Sequence, residues 1–117
     1  METPPSDKPM KPPAPWVPMT NALDLAVLGK LIEELNEAGK IAARCIIQGI
    51  DEADPTTGKI NRVALAEELA DVYASADHAI QRFFLSSADT LNMTTRAGKK
   101  FVHLKGWHDL LRKMGWK

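Results

Sequence analysis

The sequence predicts an all-α fold, and three observations carry that expectation. No stretch keeps the strict apolar–polar alternation of a half-buried strand. Two long stretches with helical periodicity are each opened by an asparagine and closed by turn residues. Seven of the eight prolines fall at positions 4, 5, 9, 12, 13, 15 and 18, clear of both stretches.

Those prolines exclude helix from the start of the chain and favour an extended, polyproline-like arm. Residues 1–19 are expected to form a disordered N-terminal arm, with packing of Trp16 and Val17 on a neighbouring subunit as the alternative. Residues 20–117 then make one small domain. Its first helix is expected from about Asn21, the N-cap, to Gln48, with Gly49 as its stop. The loop 50–60 carries two turn signals, Asp54-Pro55 and Thr57-Gly58. Asn61 is expected to cap a second helix over about 62–85, ending near Ser86-Ser87. A third helical region covers about 89–114, with an interruption expected at Gly98 or Gly106.

Composition limits the function classes. Fifteen basic and fifteen acidic residues balance to zero formal charge, which argues against a general nucleic-acid or membrane-surface binder. The single cysteine, Cys45, allows no intrachain disulfide, and beside Ile41, Ile46 and Ile47 it reads as a small buried hydrophobe. With no signal-peptide pattern and no apolar run long enough for a bilayer, a cytoplasmic protein is expected.

The most informative motif is a doubled acidic phrase. Glu33-Glu34-Leu35-Asn36-Glu37 on the first helix is echoed by Glu67-Glu68-Leu69-Ala70-Asp71 on the second. Carboxylates three residues apart share a helix face. At about 100° per residue, Glu34 falls among Val27, Ala38, Ile41 and Cys45, and Glu68 among Ala64, Val72, Ser75 and Ala79. Glu37 and Asp71 lie about 60° to one side, while Glu33 and Glu67 turn about 100° away to the flank. Carboxylates in an apolar seam are costly unless paired or bound to a metal. Lys30 and Arg82, about 40° from Glu34 and Glu68, are the available ion-pair partners. A single ExxE reads more simply as a solvated face; two inward-facing copies favour a site for a hard cation such as Mg²⁺.

From about Leu25 to Ala79 the chain resembles the MazG-like all-α nucleoside triphosphate pyrophosphatases, whose ExxE and ExxD motifs match Glu34-Leu35-Asn36-Glu37 and Glu68-Leu69-Ala70-Asp71. The resemblance implies an antiparallel helical bundle completed by oligomerisation, as a homodimer or homotetramer with sites near subunit interfaces. It also implies that Glu34, Glu37, Glu68 and Asp71 are Mg²⁺ ligands and catalytic residues. The implied reaction is hydrolysis of a nucleoside triphosphate between its α and β phosphates. Glu33 and Glu67 would stand outside the ligand set.

Oxygen-only ligands suit Mg²⁺ or Mn²⁺, which bridge phosphate oxygens and lower the pKa of an attacking water. Glu37, at the margin of the stripe, is a candidate general base, although spacing does not separate ligand from base. The C-terminal segment from Arg96 holds seven basic residues and one acidic residue. In it Lys99, Lys100 and His103, with Asn92 just before, fall within about 60° of Arg96 on one helix face. They are the candidate phosphate contacts. His78, His103 and His108 lack zinc-site spacing. Tyr73 and Trp107 read as packing residues more readily than as base-stacking ones.

Long helices with Ile46, Ile47, Phe83 and Phe84 spread around them carry more apolar surface than three helices bury, so partner chains are expected. Three functions fit: a nucleotide pyrophosphohydrolase, a phosphoribosyl-ATP pyrophosphatase-like enzyme, or a non-catalytic helical interaction module indifferent to Mg²⁺.

Overall fold

The computed structural model describes residues 14–117, and the arm expected over 1–19 therefore lies largely outside the described residues. From Ala14 to Asn21 the chain is irregular, with Trp16 and Val17 exposed. Three helices follow: α1 Ala22–Gln48, α2 Asn61–Phe83 and α3 Ser87–Lys113. No strand occurs among the described residues, only an isolated antiparallel bridge between Ala53 and Ile60. The all-α expectation holds, and no helix among the described residues is long and apolar enough to cross a membrane.

α1 begins and ends as its sequence dictates. Asn21 Oδ1 accepts from the Asp24 amide at 3.0 Å, satisfying one of the orphan donors of the first turn. Gly49 stops the helix with φ 105°, a left-handed conformation that costs glycine little. A Cβ at Gly49 would also meet Glu52 Cγ at 3.0 Å.

α2 starts one residue earlier than expected, and for a different reason. Asn61 lies inside the helix and does not cap it; Ile60 precedes α2 with no side-chain cap. The Asn61 side chain is fully buried and turns back to α1, its Nδ2 donating to Gln48 Oε1 and to the Gly49 carbonyl, each at 3.0 Å. It therefore satisfies the C-terminal end of α1, where carbonyls lack helical partners. The loop between is further locked by Arg62 paired with Asp51 at 2.7 Å and by the Asp54 amide donating to the Lys59 carbonyl at 2.9 Å.

α1 and α2 form an antiparallel hairpin. Arg82 at the end of α2 meets Asp24 at the start of α1, 2.7 Å apart, while Asn61 closes the opposite end. Their interface buries the apolar side chains Val27, Ile41 and Ala79, together with Glu34. α3 is one continuous helix: Ser86 caps it by accepting from the Ala88 amide at 3.2 Å, and neither Gly98 nor Gly106 interrupts it. Each glycine costs about 1 kcal/mol, too little to break a capped helix of 27 residues.

α3 buries no residue and shares no hydrogen bond or ion pair with the hairpin among the described residues. The radius of gyration, 20.8 Å, exceeds the roughly 13 Å of a compact chain of this length. Tyr73 and Trp107, expected to pack, are exposed within the single chain, as are Phe101, Leu104, Leu110, Ile46 and Ile47. Cys45 is half-buried, its Sγ 3.8 Å from the Asn61 carbonyl.

Candidate functional site

The antiparallel pairing of α1 and α2 sets the two acidic phrases against each other. Glu34, Glu68 and Asp71 each bring a carboxylate oxygen within 4.8 Å of the other two. Glu34 is buried and Glu68 half-buried, with Asp71 at the exposed rim. Glu37 is exposed and outside this group of three, yet close enough that its charge acts on Glu68. The inward placement read from the helical wheel is thus found for Glu34 and Glu68, and Glu33 and Glu67 are exposed.

The electrostatics are uneven. The Lys30 ammonium lies 3.1 Å from Glu34 and 3.5 Å from Glu33, and these contacts raise the lysine pKa. Glu68 has no ion-pair partner among the described residues: Arg82, the candidate partner on its own helix, is taken by Asp24. Burial and the charges of Asp71, Glu34, Glu37 and Glu67 push the Glu68 pKa above its ordinary value. Its Oε2 is buried without any hydrogen-bond partner. A buried carboxylate oxygen with no donor, facing two further carboxylates, fits a divalent cation that takes only oxygen ligands.

The carboxylates occupy the middle of a groove. Lys30, Glu37 and Arg44 are spaced by seven residues along α1, and Ala64, Asp71 and His78 by seven along α2. Sevenfold spacing drifts only about 20° per step, so each set lines one edge of its helix. In an antiparallel pair these two edges flank the same groove, and each end of it widens into a cavity lined from both helices.

The cavity at the open end, of about 280 Å³, is lined by Leu23, Ala26, Val27, Lys30, His78 and Arg82. At the hairpin end a cavity of about 310 Å³ lies beside Glu68 and Glu67, with Arg44, Asp54, Thr57 and Lys59 around it. Asp54 is the fixed point of this end, accepting from the Thr57 amide and hydroxyl, each at 3.1 Å. Burial works to raise its pKa, but the Thr57 bonds, the Arg44 charge and Gln48 together hold it below the usual carboxylate value. Arg44 Nε stands 3.8 Å from Asp54, and the Lys59 ammonium 2.7 Å from Glu67.

Arg44 and Lys59 are cations beside the carboxylates that the sequence analysis did not single out. The signal for Arg44 was its sevenfold spacing from Glu37. Lys59 sits in a loop without periodicity and left no signal. The expected phosphate contacts Asn92, Arg96, Lys99, Lys100 and His103 do share one face of α3, around an open depression of about 430 Å³. They line neither cavity of the groove.

Comparison with protein-family models, with curated proteins and with solved structures returned no match to this chain.

Proposed function

We propose that this chain is a Mg²⁺-dependent nucleotide pyrophosphohydrolase, cleaving a nucleoside or deoxynucleoside triphosphate to its monophosphate and pyrophosphate. The carrying observation is the orphaned, buried Glu68 Oε2 within a convergence of three carboxylates. The resemblance of both acidic phrases to the MazG-like motifs supplies the reaction.

Glu34, Glu68 and Asp71, joined by Glu37 from the rim, would hold the cation. When bound, such an ion neutralises phosphate oxygens and makes a nearby water a stronger nucleophile. The chain's own groups do the rest. Glu37, exposed and outside the tight group, would take the proton of a water whose oxygen forms the new bond to the α phosphorus. The bridging P–O bond between the α and β phosphates breaks, and pyrophosphate leaves with the electron pair. Cations within reach of the groove stabilise that leaving charge.

The reading includes a cytoplasmic homo-oligomer. Three buried apolar side chains among the described residues are a thin core, and a lone α3 with Phe101, Leu104 and Trp107 exposed would gain its burial from another copy.

The test is incubation of purified protein with each NTP, each dNTP and phosphoribosyl-ATP, with and without Mg²⁺, measuring pyrophosphate against orthophosphate. Mg²⁺-dependent pyrophosphate release, lost in Glu68→Gln and Glu34→Gln and kept in Glu67→Gln, supports the reading. Turnover of phosphoribosyl-ATP alone selects that substrate, and no turnover of any substrate leaves the interaction module.

A further inference from the structure

The two ends of the groove carry cations in different states. At the open end Lys30 is shared by Glu33 and Glu34, and Arg82 is held by Asp24 and Asn21. The surrounding wall there is chiefly apolar, from Leu23, Ala26 and Val27. At the hairpin end one cation is loosely paired and the other is held close, at 2.7 Å, by an exposed carboxylate alone. Arg44 touches Asp54 at 3.8 Å, beyond hydrogen-bonding distance. Lys59 meets a single carboxylate, Glu67, whose side chain is 56% exposed.

The backbone around Lys59 is held by two hydrogen bonds, and its side chain by one surface ion pair. The Lys59 carbonyl accepts from the Asp54 amide at 2.9 Å, and its amide donates to Thr57 Oγ1 at 3.2 Å. The ammonium extends from this anchored base beside a cavity that Glu67 and Glu68 also line. A surface ion pair such as Lys59–Glu67 contributes little, so a multiply charged anion displaces Glu67 easily.

We infer that Lys59 and Arg44 form the subsite for the pyrophosphate end of a polyphosphate, with the Glu67 carboxylate as a displaceable stand-in for phosphate. The identity of the anion rests on the pyrophosphohydrolase reading. The position of the subsite rests on the cavity and its two cations. A polyphosphate entering the groove meets Glu34, Glu37, Glu68 and Asp71, and cations on the same groove offset that repulsion. This gives Glu67, which the doubled phrase places outside the ligand set, a role opposite to that of Glu68: it competes with the ligand.

Calorimetric titration of the full chain with inorganic pyrophosphate at fixed Mg²⁺ tests the inference. Lys59→Met is expected to weaken binding about tenfold, the scale of one lost charge-assisted hydrogen bond. Glu67→Gln is expected to tighten it about threefold, because nothing need be displaced. The double variant Lys99→Met/Lys100→Met, on α3, is expected to stay within about twofold of the parent. Lys59 is half-exposed with one surface partner, so its replacement leaves the fold intact, as a thermal melt verifies. Unchanged binding by Lys59→Met, weaker binding by Glu67→Gln, or a loss confined to the α3 variant overturns the subsite. If pyrophosphate binds through Lys59 but no nucleotide is hydrolysed, the subsite stands and the hydrolase reading falls.

Discussion

Glu34 on α1 and Glu68 on α2 place carboxylate oxygens within 4.8 Å of each other across the helix seam, yet Lys30 neutralises only Glu34. The hairpin thus keeps one half-buried carboxylate beside a second and leaves it without a counter-ion of its own. That asymmetry makes Glu68 the residue whose replacement is most informative.

Removing the Glu68 charge separates stability from function. Glu68→Gln is expected to raise the melting temperature in chelator at pH 7 and to lower Mg²⁺-dependent kcat by about 10²–10³-fold, the scale of one lost charge-stabilising group. Added Mg²⁺ at one hundred times its Kd should stabilise the parent by about 2.7 kcal/mol, and Glu68→Gln should abolish that shift. Paired thermal melts with and without Mg²⁺ provide the check.

The pH dependence follows from opposite shifts. The folded pKa of Glu68 is raised above its ordinary 4.5. As pH climbs from 4.5 through that raised value, the folded state holds a proton the unfolded state has lost, so stability falls. Asp51, lowered chiefly by the Arg62 hydrogen bond, and Asp54 do the reverse. Their contribution is complete above 3.8 and disappears as pH falls through their folded values. Melts in chelator should therefore peak in the mildly acidic range, and Glu68→Gln should flatten the decline on the neutral side. A parent whose stability rises from pH 5 to 7 would contradict the assignment.

Asn61 is expected to be the most sensitive polar residue of the hairpin. Asn61→Ala removes the donor to the Gln48 side chain and leaves the Gly49 carbonyl with only the longer Glu52 amide bond, at 3.3 Å. Losing two hydrogen bonds from a half-buried site costs about 2 kcal/mol, a fall in melting temperature on the order of 10 °C. Denaturant unfolding with an unchanged m-value would show that stability alone had moved.

α3 should be where copies meet. Leu104→Glu with Trp107→Glu, two exposed apolar residues one turn apart, is expected to reduce the assembly to monomers in sedimentation velocity. A parent chain that is itself monomeric at micromolar concentration would refute it.

Some of this was legible in the sequence and some was not. Periodicity and caps located α1 closely, because Asn21 and Gly49 act through contacts with their own helix. The inward turn of Glu34 and Glu68 followed from the same local geometry. Asn61 misled because its amide suits a cap as well as a buried tertiary bond, and only the fold decides between them. Lys59 was invisible because a loop cation acquires meaning from the cavity it borders. The basic face of α3 was readable as a face, but where a helix goes after a three-residue turn at Phe84, Leu85 and Ser86 is a matter of packing.

The separation of α3 from the hairpin also has a kinetic consequence. α1 and α2 are joined by twelve residues, and pairing of such near neighbours along the chain is fast. Under the proposed assembly, burial of α3 against another copy is bimolecular, so its rate would scale with concentration. Refolding of this chain should show a first-order phase that closes the hairpin, followed by a second-order phase that slows on dilution.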